Sequence, residues 1–478
     1  MRDRPEYDLC IIGGGAAGLV TAAGAASLGA KVILIEKAKL GGDCLYYGCV
    51  PSKTLIHSAT VANTIRHANR FGLDAHHEAI DQNRVMHRVA EVIKHIEPND
   101  SPERFRTLGV EVVFDSASFS SPNSVQLSER TITARNFVLA TGSRPAIPNI
   151  SGIESVPYFT NETIFDNKEN ISHLIVLGGG PIGCEMAQSF VRLGVKVTLV
   201  SRNRLLPKED ADMAEVVKQQ FLVDGIDLHL YVDTKKAEKT EQGISLELYG
   251  EQNHPQTTHL EGSHLLVATG RRSNIENLAL EKAGINISDA SKVNVDSRLR
   301  TSNKHIYACG DIAGPYLFTH MAEHQAGVVL QNTLFHLPIK VQTKAIPWCT
   351  FTSPELARVG LSEDDAEKQG IKYQVYCFPF SEVDRAIADG DTAGMAKIIT
   401  NPRGKLLGAC IVGPHAGELI AEYSLAITQG MKVSALSKTI HIYPTLAQIN
   451  RRVADQRMKA LLTPARKRWL KRLFSLRG

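Results

Sequence analysis

The chain has 478 residues, 43% of them apolar, with 37 glycines, eight cysteines and a formal net charge of +4. This length predicts about three domains, and the glycine content is typical of α/β proteins. The sequence lacks an apolar run that would span a bilayer, a signal-peptide pattern and the dense cysteines of a secreted disulfide framework, so we expect a cytoplasmic protein.

The first segment has the pattern of a dinucleotide-binding βαβ unit. A short apolar run leads into glycines with G-x-G-x-x-G spacing, and an Ala-rich helical segment leads into a second apolar run that ends at Glu36. Glycines allow a tight turn and the close approach of a pyrophosphate to the helix N-terminus, and an acid at the second strand end binds a ribose diol. The glycines are Gly13, Gly15 and Gly18.

The stretch GGDCLYYGCVPSK, residues 41–53, places Cys44 and Cys49 five positions apart. A disulfide requires Cα atoms within about 4.4–6.8 Å. A helix brings this spacing into that range only if it is distorted, and Gly48 and Pro51 permit such a distortion. A helix N-terminus also favours a thiolate. The stretch predicts either a redox-active cysteine pair or two structural thiols, and the spacing alone leaves both open.

A second copy of the dinucleotide unit spans residues 174–202. Ser201 stands here where Glu36 stands in the first copy, 23 positions after the first glycine in both. The next residues include Arg202 and Arg204. Loss of the carboxylate and gain of guanidinium groups favour a 2′-phosphate, and so NADPH over NADH. The alternative is that both arginines are solvated surface charges. The glycines of this copy are Gly178, Gly180 and Gly183.

Other predicted strands end in a glycine turn or at an acid, as expected for segments that close over a cofactor. The acid, Asp311, is suited to bond a sugar-like chain, and its alternative role is to cap the next helix. These strands span 111–119, 130–139 (followed by Thr141 and Gly142), 264–272 (with Gly270) and 301–311.

After Ile346 the pattern changes to short strands that alternate with turns such as NPRG. Helical segments follow over 417–429 and from Pro444 onward. We interpret this part as a third domain of the α+β class.

Together these motifs identify a family. The chain resembles the FAD- and pyridine-nucleotide-dependent disulfide oxidoreductases, such as dihydrolipoamide dehydrogenase, glutathione reductase and mercuric ion reductase. The resemblance implies a homodimer with an α/β fold, in which two Rossmann-like dinucleotide-binding domains precede a C-terminal α+β dimerisation domain. The motifs are GGGAAG with Glu36, GGDCLYYGCVPSK, ATGSRP, GGGPIGCE, the Gly310–Asp311 strand end and FTSPELARVGL. The implied domains are FAD-binding (1–155 and 286–340), NAD(P)-binding (156–285) and dimerisation (341–462), followed by a tail (463–478).

The resemblance also implies roles for individual residues. Hydride from NAD(P)H reduces FAD, and FAD reduces the cysteine pair. Cys49 would face the flavin as the charge-transfer thiolate, and Cys44 would exchange with substrate. Lys53 would lie near the flavin ring, paired with Glu185. The second FAD fingerprint falls on Asp311, and Gly42, Thr141, Gly142 and Gly270 complete the predicted cofactor-binding residues; no metal ligands are predicted.

The electron acceptor is the least defined part of this prediction. The stretch VTLVSRNRLLPKED looks most like mercuric reductases, which favour NADPH. Disulfide-reducing members carry a His before a Pro and a Glu five residues after that His, whereas this chain has Tyr443 and Gln448. His441 lies two positions early. Tyr is a poor acid–base group near neutral pH, which argues against lipoamide or glutathione disulfide.

Mercuric reductases also lack that dyad, but they deliver metal through a C-terminal cysteine pair, and the last cysteine here is Cys410. A metal ion, a quinone and a small disulfide therefore stay open as acceptors. The alternatives are a dihydrolipoamide dehydrogenase-type reductase and a flavin-binding redox sensor with negligible turnover.

The tail is basic and amphipathic. Residues 451–478 hold ten Lys and Arg against one acid, Asp455, a net +9 within a chain of net +4. Pro464 suits the first turn of a helix. Such a helix predicts peripheral membrane contact, or packing of its apolar stripe on the dimer. The stripe is Trp469, Leu470, Leu473 and Phe474, with Arg466, Lys467, Lys471 and Arg472 largely off it.

Overall fold

The computed structural model describes residues 4–76, 79–241, 243–250, 256–288 and 292–476. These residues divide into two compact units. The first unit draws on 1–177, 234–247 and 259–342, and the second on 178–233, 248–258 and 343–478. The domain boundaries implied by the family resemblance stay predictions.

The helices begin and end as follows. They are α1 Ala16–Ser27, α2 Gly42–Tyr46, α3 Cys49–Arg66, α4 Gln82–Ile96, α5 Pro102–Thr107, α6 Pro181–Arg192, α7 Ala211–Asp224, α8 Thr319–Leu334, α9 Glu363–Lys368, α10 Asp384–Asp389, α11 Ala416–Thr428, α12 Val433–Lys438, α13 Gln448–Ala460 and α14 Pro464–Leu473.

The strands complete the mixed α/β fold. They are β1 Tyr7–Ile12, β2 Val32–Glu36, β3 Val110–Phe114, β4 Ser118–Ser121, β5 Ser124–Gln126, β6 Thr131–Leu139, β7 Ser143–Pro145, β8 His173–Leu177, β9 Lys196–Ser201, β10 Asp227–Leu230, β11 Val232–Thr240, β12 Gly243–Gly250, β13 Gln256–Gly262, β14 His264–Val267, β15 Arg271–Ser273, β16 Ile306–Ala308, β17 Pro347–Thr350, β18 Glu355–Gly360, β19 Gln374–Pro379, β20 Met395–Thr400 and β21 Leu406–Gly413.

The main sheet of the first unit is built around β1. This strand pairs in parallel with β2 on one side and β6 on the other, and β16 pairs in parallel with β6. The order is β3-β2-β1-β6-β5-β4. A strand that is buried on both faces has a continuous apolar sequence rather than an alternating one. This explains the sequences DLCII in β1 and VILI in β2.

The carboxyl ends of these parallel strands meet at one edge of the sheet. Ile12 is in register with Ile35 and Leu139, and Leu139 with Ala308. The glycine turn, Glu36, the ATG segment and the Gly310–Asp311 loop follow these four positions directly. Cofactors in α/β sheets bind outside this edge.

Helix α1 is poor in large side chains because it packs closely on α8. A Cβ atom added at Gly24 would lie 2.5 Å from Cδ1 of Leu330. The small residues of α1 therefore allow the two helices to approach, and they hold the α1 N-terminus beside the sheet edge.

In the second unit, β9 and β10 pair in parallel, and a five-stranded sheet has the order β17-β18-β21-β20-β19. Neighbouring strands of that sheet run antiparallel. Helices α11 and α13 pack on it through apolar residues that include Ile420, Tyr423, Ile449 and Val453. The predicted α+β character of this part is confirmed.

Two differences from the predicted elements stand out. The single strand predicted over 111–119 is two strands, β3 and β4, because Asp115 turns the chain by accepting backbone and side-chain hydrogen bonds from Ser128. The strand predicted over 301–311 is only the short β16. In the described ranges, no helix has the length and apolar character needed to cross a membrane.

Candidate functional site

The two cysteines lie on either side of a helix break. Cys44 belongs to α2, Cys49 is the first residue of α3, and Gly48 between them is the N-cap residue of α3. Both sulfurs are free thiols, with Cys44 partly buried and Cys49 exposed. The predicted helix distortion is therefore a complete interruption, with one cysteine on each side of it.

The two thiols differ in acidity. Interaction with the Cys44 thiol lowers the pKa of Cys49 to about 6. The Thr319 hydroxyl, whose oxygen lies 3.5 Å from the Cys49 sulfur, and the charge of Lys53 lower it further. The same interaction, followed by burial, raises the pKa of Cys44. At neutral pH this geometry favours a Cys49 thiolate beside a Cys44 thiol.

Helix α2 is held directly against the first glycine turn. A Cβ atom added at Gly42 would lie 2.7 Å from the Cα of Gly15, and Gly42 has φ +59°. Only glycine permits both this backbone conformation and this approach. The contact places the cysteine pair next to the N-terminus of α1.

The first glycine turn is formed as predicted from the sequence. Gly13 has φ +110°, and a Cβ atom there would lie 2.4 Å from the carbonyl oxygen of Ala140; one at Gly18 would lie 1.9 Å from that of Gly13. The Glu36 carboxylate accepts hydrogen bonds from the amides of Gly14 (2.7 Å) and Ala38 (2.8 Å).

These residues fit a bound dinucleotide. Helix α1 has no side-chain N-cap among the described residues, so its first amides are available to an anion. The carboxylate of Glu36 keeps acceptor capacity beyond its two amide donors and is only partly buried.

Asp311 is placed at the same sheet edge and is held by neighbours from other segments. Ser143 donates a hydrogen bond to it, and Arg271 lies 3.7 Å from it. Burial raises the pKa of Asp311, and the Ser143 hydrogen bond and the Arg271 charge oppose that rise. Arg271 also forms an ion pair of 3.1 Å with Asp43, the residue before Cys44. Asp311 and α2, the helix that carries Cys44, therefore share one guanidinium group.

The segments ATGSRP and ATGRRS pair with each other through antiparallel strands β7 and β15. The Thr141 hydroxyl donates to the backbone carbonyl of Asn274 at 2.7 Å, and the side-chain amide of Asn274 donates to the backbone carbonyl of Thr141 at 2.9 Å. Gly142 (φ +69°) and Gly270 (φ +142°) make the turns that allow this pairing.

The second glycine turn lies in the second unit. Gly178 has φ +124°, and its amide donates to the carbonyl of Val200. Ser201 is buried, its hydroxyl accepting from the amide of Asn203 at 3.3 Å, while Arg202 is exposed. Gly180 and Gly183 lie at the start of α6, which Pro181 opens.

Arg204 is used differently from Arg202. Its guanidinium group donates hydrogen bonds to backbone carbonyls of its own loop. The group therefore braces the loop that follows β9, whereas Arg202 is exposed. The four acceptors are Leu205, Leu206, Pro207 and Glu209.

Lys53 and Glu185 lie in different units, and their pairing stays a prediction. Lys53 donates to the Ser52 hydroxyl at 3.2 Å. Glu185 is buried on α6 and accepts from the amide of Phe351 at 2.9 Å.

Tyr443 and Gln448 occupy the positions of the family's acid–base dyad without pairing with each other. The exposed Tyr443 donates to Asp384 at 2.9 Å. Gln448 donates to the carbonyls of His441 and Ile442. His441 has a side chain only 6% exposed, and its Nε2 atom lies 3.0 Å from Glu422. Its imidazole is therefore turned into its own unit.

A separate group of three carboxylates lies in the second unit. Asp210, Asp212 and Glu363 are close enough together to hold a cation. The ammonium of Lys397 lies 3.3, 2.7 and 2.6 Å from them. The chain thus supplies its own cation at this cluster.

Four further residues at this site were not predicted from the sequence: Thr319, Arg271, Asp43 and Ser143. Thr319 is the first residue of α8, the helix that follows the Gly310–Asp311 strand end. A hydroxyl at the start of a helix that follows a cofactor loop was the available signal.

Comparison with known proteins agrees with this geometry. Residues 7–326 match the family described as pyridine nucleotide-disulphide oxidoreductase, and residues 346–453 match the dimerisation domain of the same family. The chain belongs to the pyridine nucleotide-disulphide oxidoreductases. Members of this family are flavoproteins that use FAD and NAD(P)H, and the predicted fold class is confirmed.

Relatives with two different activities are equally similar. The chain is 34% identical to a mercuric reductase of Streptomyces lividans, an alignment that covers 92% of this chain and 94% of the relative. It is also 34% identical to a dihydrolipoyl dehydrogenase of Chlamydia muridarum, over 96% of this chain and 97% of the relative. A Cu(II) complex of the HOCl-induced flavoprotein disulfide reductase RclA from Escherichia coli superposes with a TM-score of 0.84 at 27% identity, covering 95% of this chain and 100% of that structure.

Proposed function

We propose that this flavoprotein transfers electrons from NADPH through FAD to the Cys44–Cys49 pair and on to a metal ion or another small acceptor. The observation that carries this proposal is the position of the two cysteines, which flank the break between α2 and α3 while Gly42 holds α2 against the first glycine turn. Two structural thiols would not require a position beside a dinucleotide-type turn.

FAD, when bound, supplies the chemistry that accepts a hydride and passes two electrons to a disulfide. The residues that would hold it lie at one sheet edge. The α1 N-terminus and its glycine turn would bind the pyrophosphate, Glu36 the ribose and Asp311 the sugar-like chain. Gly42 holds the cysteine helix against that turn. Cys49 would be the flavin-side sulfur, and the exchange with substrate would fall to Cys44.

The preference for NADPH is supported by Ser201 and Arg202. A buried Ser replaces the acid that would repel a 2′-phosphate, and an exposed guanidinium follows it directly. A guanidinium group binds phosphate through two hydrogen bonds.

The acceptor is inferred from what surrounds Tyr443. Reduction of an organic disulfide requires a proton for the leaving thiol, and no imidazole stands at positions 443 or 448. His441 is buried on Glu422. A thiophilic metal ion bound by thiolates needs no such proton, so a metal ion is favoured as the acceptor. The similar solved structure of RclA is a Cu(II) complex. The equally similar dihydrolipoyl dehydrogenases favour lipoamide as the alternative.

A reoxidation screen tests this proposal. The holoenzyme is reduced anaerobically with NADPH and mixed in a stopped-flow instrument with Hg(II), Cu(II), a quinone, lipoamide or glutathione disulfide. The proposal would be supported if a metal ion reoxidises the enzyme rapidly and Cys44→Ser abolishes this reoxidation. Rapid reoxidation by lipoamide alone would identify a disulfide reductase, and slow reoxidation by every acceptor would favour a redox sensor. The chain is also proposed to act as a homodimer through residues 346–453.

A further inference from the structure

The C-terminal tail lies beyond the matched dimerisation domain, which ends at residue 453. Helix α14 spans Pro464–Leu473, and the side chain of Thr463 caps it by accepting from the amide of Arg466. None of its described residues is buried. The helix is therefore formed by local signals, and all its residues except the partly buried Leu470 are exposed.

The apolar side chains of this helix share one face. At 3.6 residues per turn, Trp469, Leu470 and Leu473 fall within an arc of about 100°. Trp469 is 61% exposed and Leu473 is 56% exposed. Phe474 and Leu476, just after the helix, are also exposed. A cluster of exposed large apolar side chains on one short helix marks an interaction surface.

The opposite face is basic. Lys467, Arg468, Lys471 and Arg472 project there, and the tail has no acid after Asp455. Arg466 is an exception to the predicted arrangement, because it falls within the apolar arc. Its guanidinium group donates to the carbonyl of Leu461 at 3.0 Å, which draws its charge back toward α13.

We propose that α14 docks the enzyme on an anionic lipid surface, lying in the interface with Trp469 and Leu473 inserted. An apolar face flanked by Lys and Arg is complementary to acyl chains below and acidic headgroups above. A ten-residue helix is too short to span a bilayer, so the contact is peripheral. The surface of opposite charge that fits this helix is an anionic leaflet, whichever acceptor the enzyme reduces.

Co-sedimentation of the full-length holoenzyme with vesicles tests the docking. Vesicles of phosphatidylglycerol and phosphatidylcholine should bind the protein at low salt, and vesicles of phosphatidylcholine alone should bind it much less. Lys471→Gln should weaken binding about fivefold, as expected for one basic residue near an anionic surface. Leu473→Glu and a chain that ends at Leu462 should abolish it. Val223→Glu is the matched control, since Val223 is a 79% exposed apolar residue on α7, and it should bind like the unaltered protein.

Trp469 provides a second measurement. Its emission should shift to shorter wavelength when anionic vesicles are added, and Trp469→Phe should lose that shift while it still sediments with the vesicles. Equal sedimentation of the full-length and shortened chains would overturn the proposal. So would a shortened chain that becomes monomeric, because the tail would then pack on a second copy. The proposal would likewise be overturned if the protein did not bind vesicles but bound duplex DNA, and if Leu473→Glu left that DNA binding unchanged.

Discussion

Cys44 on α2 and Cys49 at the first position of α3 lie on either side of a helix break, and interaction with the Cys44 thiol lowers the pKa of Cys49. A thiol that donates to a neighbouring sulfur stabilises that sulfur as a thiolate and becomes harder to deprotonate itself. The two cysteines are therefore chemically different before any cofactor or substrate is considered, and several measurable properties depend on this difference.

The reduced holoenzyme should show a long-wavelength absorbance band that depends on the Cys49 thiolate. Because the pKa of Cys49 is lowered to about 6, the band should be present above that pH and should disappear as the pH falls through it. Cys49→Ser should abolish the band. Cys44→Ser should retain it without reductant, and Cys44→Ala, which removes the donor, should raise its apparent pKa. A band that survives Cys49→Ser would contradict the assignment of the flavin-side sulfur.

The Thr319 hydroxyl should tune the same titration. It lies 3.5 Å from the Cys49 sulfur and lowers the pKa of that thiol. Thr319→Val should raise the midpoint of the band by somewhat less than about one pH unit, as expected for a net hydrogen bond of about 1 kcal/mol. Thr319→Ser retains a hydroxyl and should leave the midpoint in place. An unchanged midpoint in Thr319→Val would show that the two atoms do not interact in solution.

Nucleotide selectivity should depend on Arg202 rather than on Arg204. Loss of a charge-assisted contact to the 2′-phosphate should lower kcat/KM for NADPH by about tenfold or more in Arg202→Ala and leave NADH unaffected. Ser201→Glu with Arg202→Ala should move selectivity further toward NADH. Arg204→Ala should instead lower Tm, because its guanidinium group braces four carbonyls of its own loop. If the preference between NADPH and NADH does not change in the Ser201 and Arg202 variants, Arg202 is a solvated surface charge with no role in nucleotide selectivity.

Local patterns in the sequence predicted the glycine turns, Glu36 and the cysteine pair, because each is defined by residues close together in the chain. The contact between Thr319 and Cys49 joins positions 270 residues apart, and no periodicity records such a distance. The sequence identified Arg204 and His441 as candidate residues but not their partners. Arg204 bonds to backbone carbonyls of its own loop and His441 bonds to Glu422, and both contacts depend on loop geometry. The tail helix was predicted from capping and periodicity, whereas the exposure of its apolar face required the structure.

The approach of Gly42 to Gly15 should be essential for keeping FAD beside the cysteines. A left-handed residue with a Cβ atom costs about 1–2 kcal/mol, and at Gly42 that atom would also lie 2.7 Å from backbone. Gly42→Ala should therefore release FAD on gel filtration and lower Tm by more than the strain alone. Gly29→Ala is the matched control, since Gly29 has φ +83° with open space around its Cβ position. Equal losses in both variants would show that the close approach is unimportant.

Lipoamide and glutathione disulfide should be reduced slowly, because Tyr443 and Gln448 provide no acid–base pair. Such groups typically contribute about 10²–10⁴-fold to turnover. The imidazole two positions before Tyr443 in the sequence, His441, is fixed by Glu422 at 3.0 Å and by the carbonyl of Thr439 at 3.1 Å. His441→Gln should therefore lower Tm while the slow lipoamide rate stays the same, and Tyr443→Phe should also leave that rate unchanged. The measurement is steady-state NADPH oxidation with lipoamide, alongside thermal unfolding of each variant. If folded His441→Gln loses lipoamide turnover, the imidazole supplies the proton after all, and a metal ion would no longer be favoured over a disulfide as the acceptor.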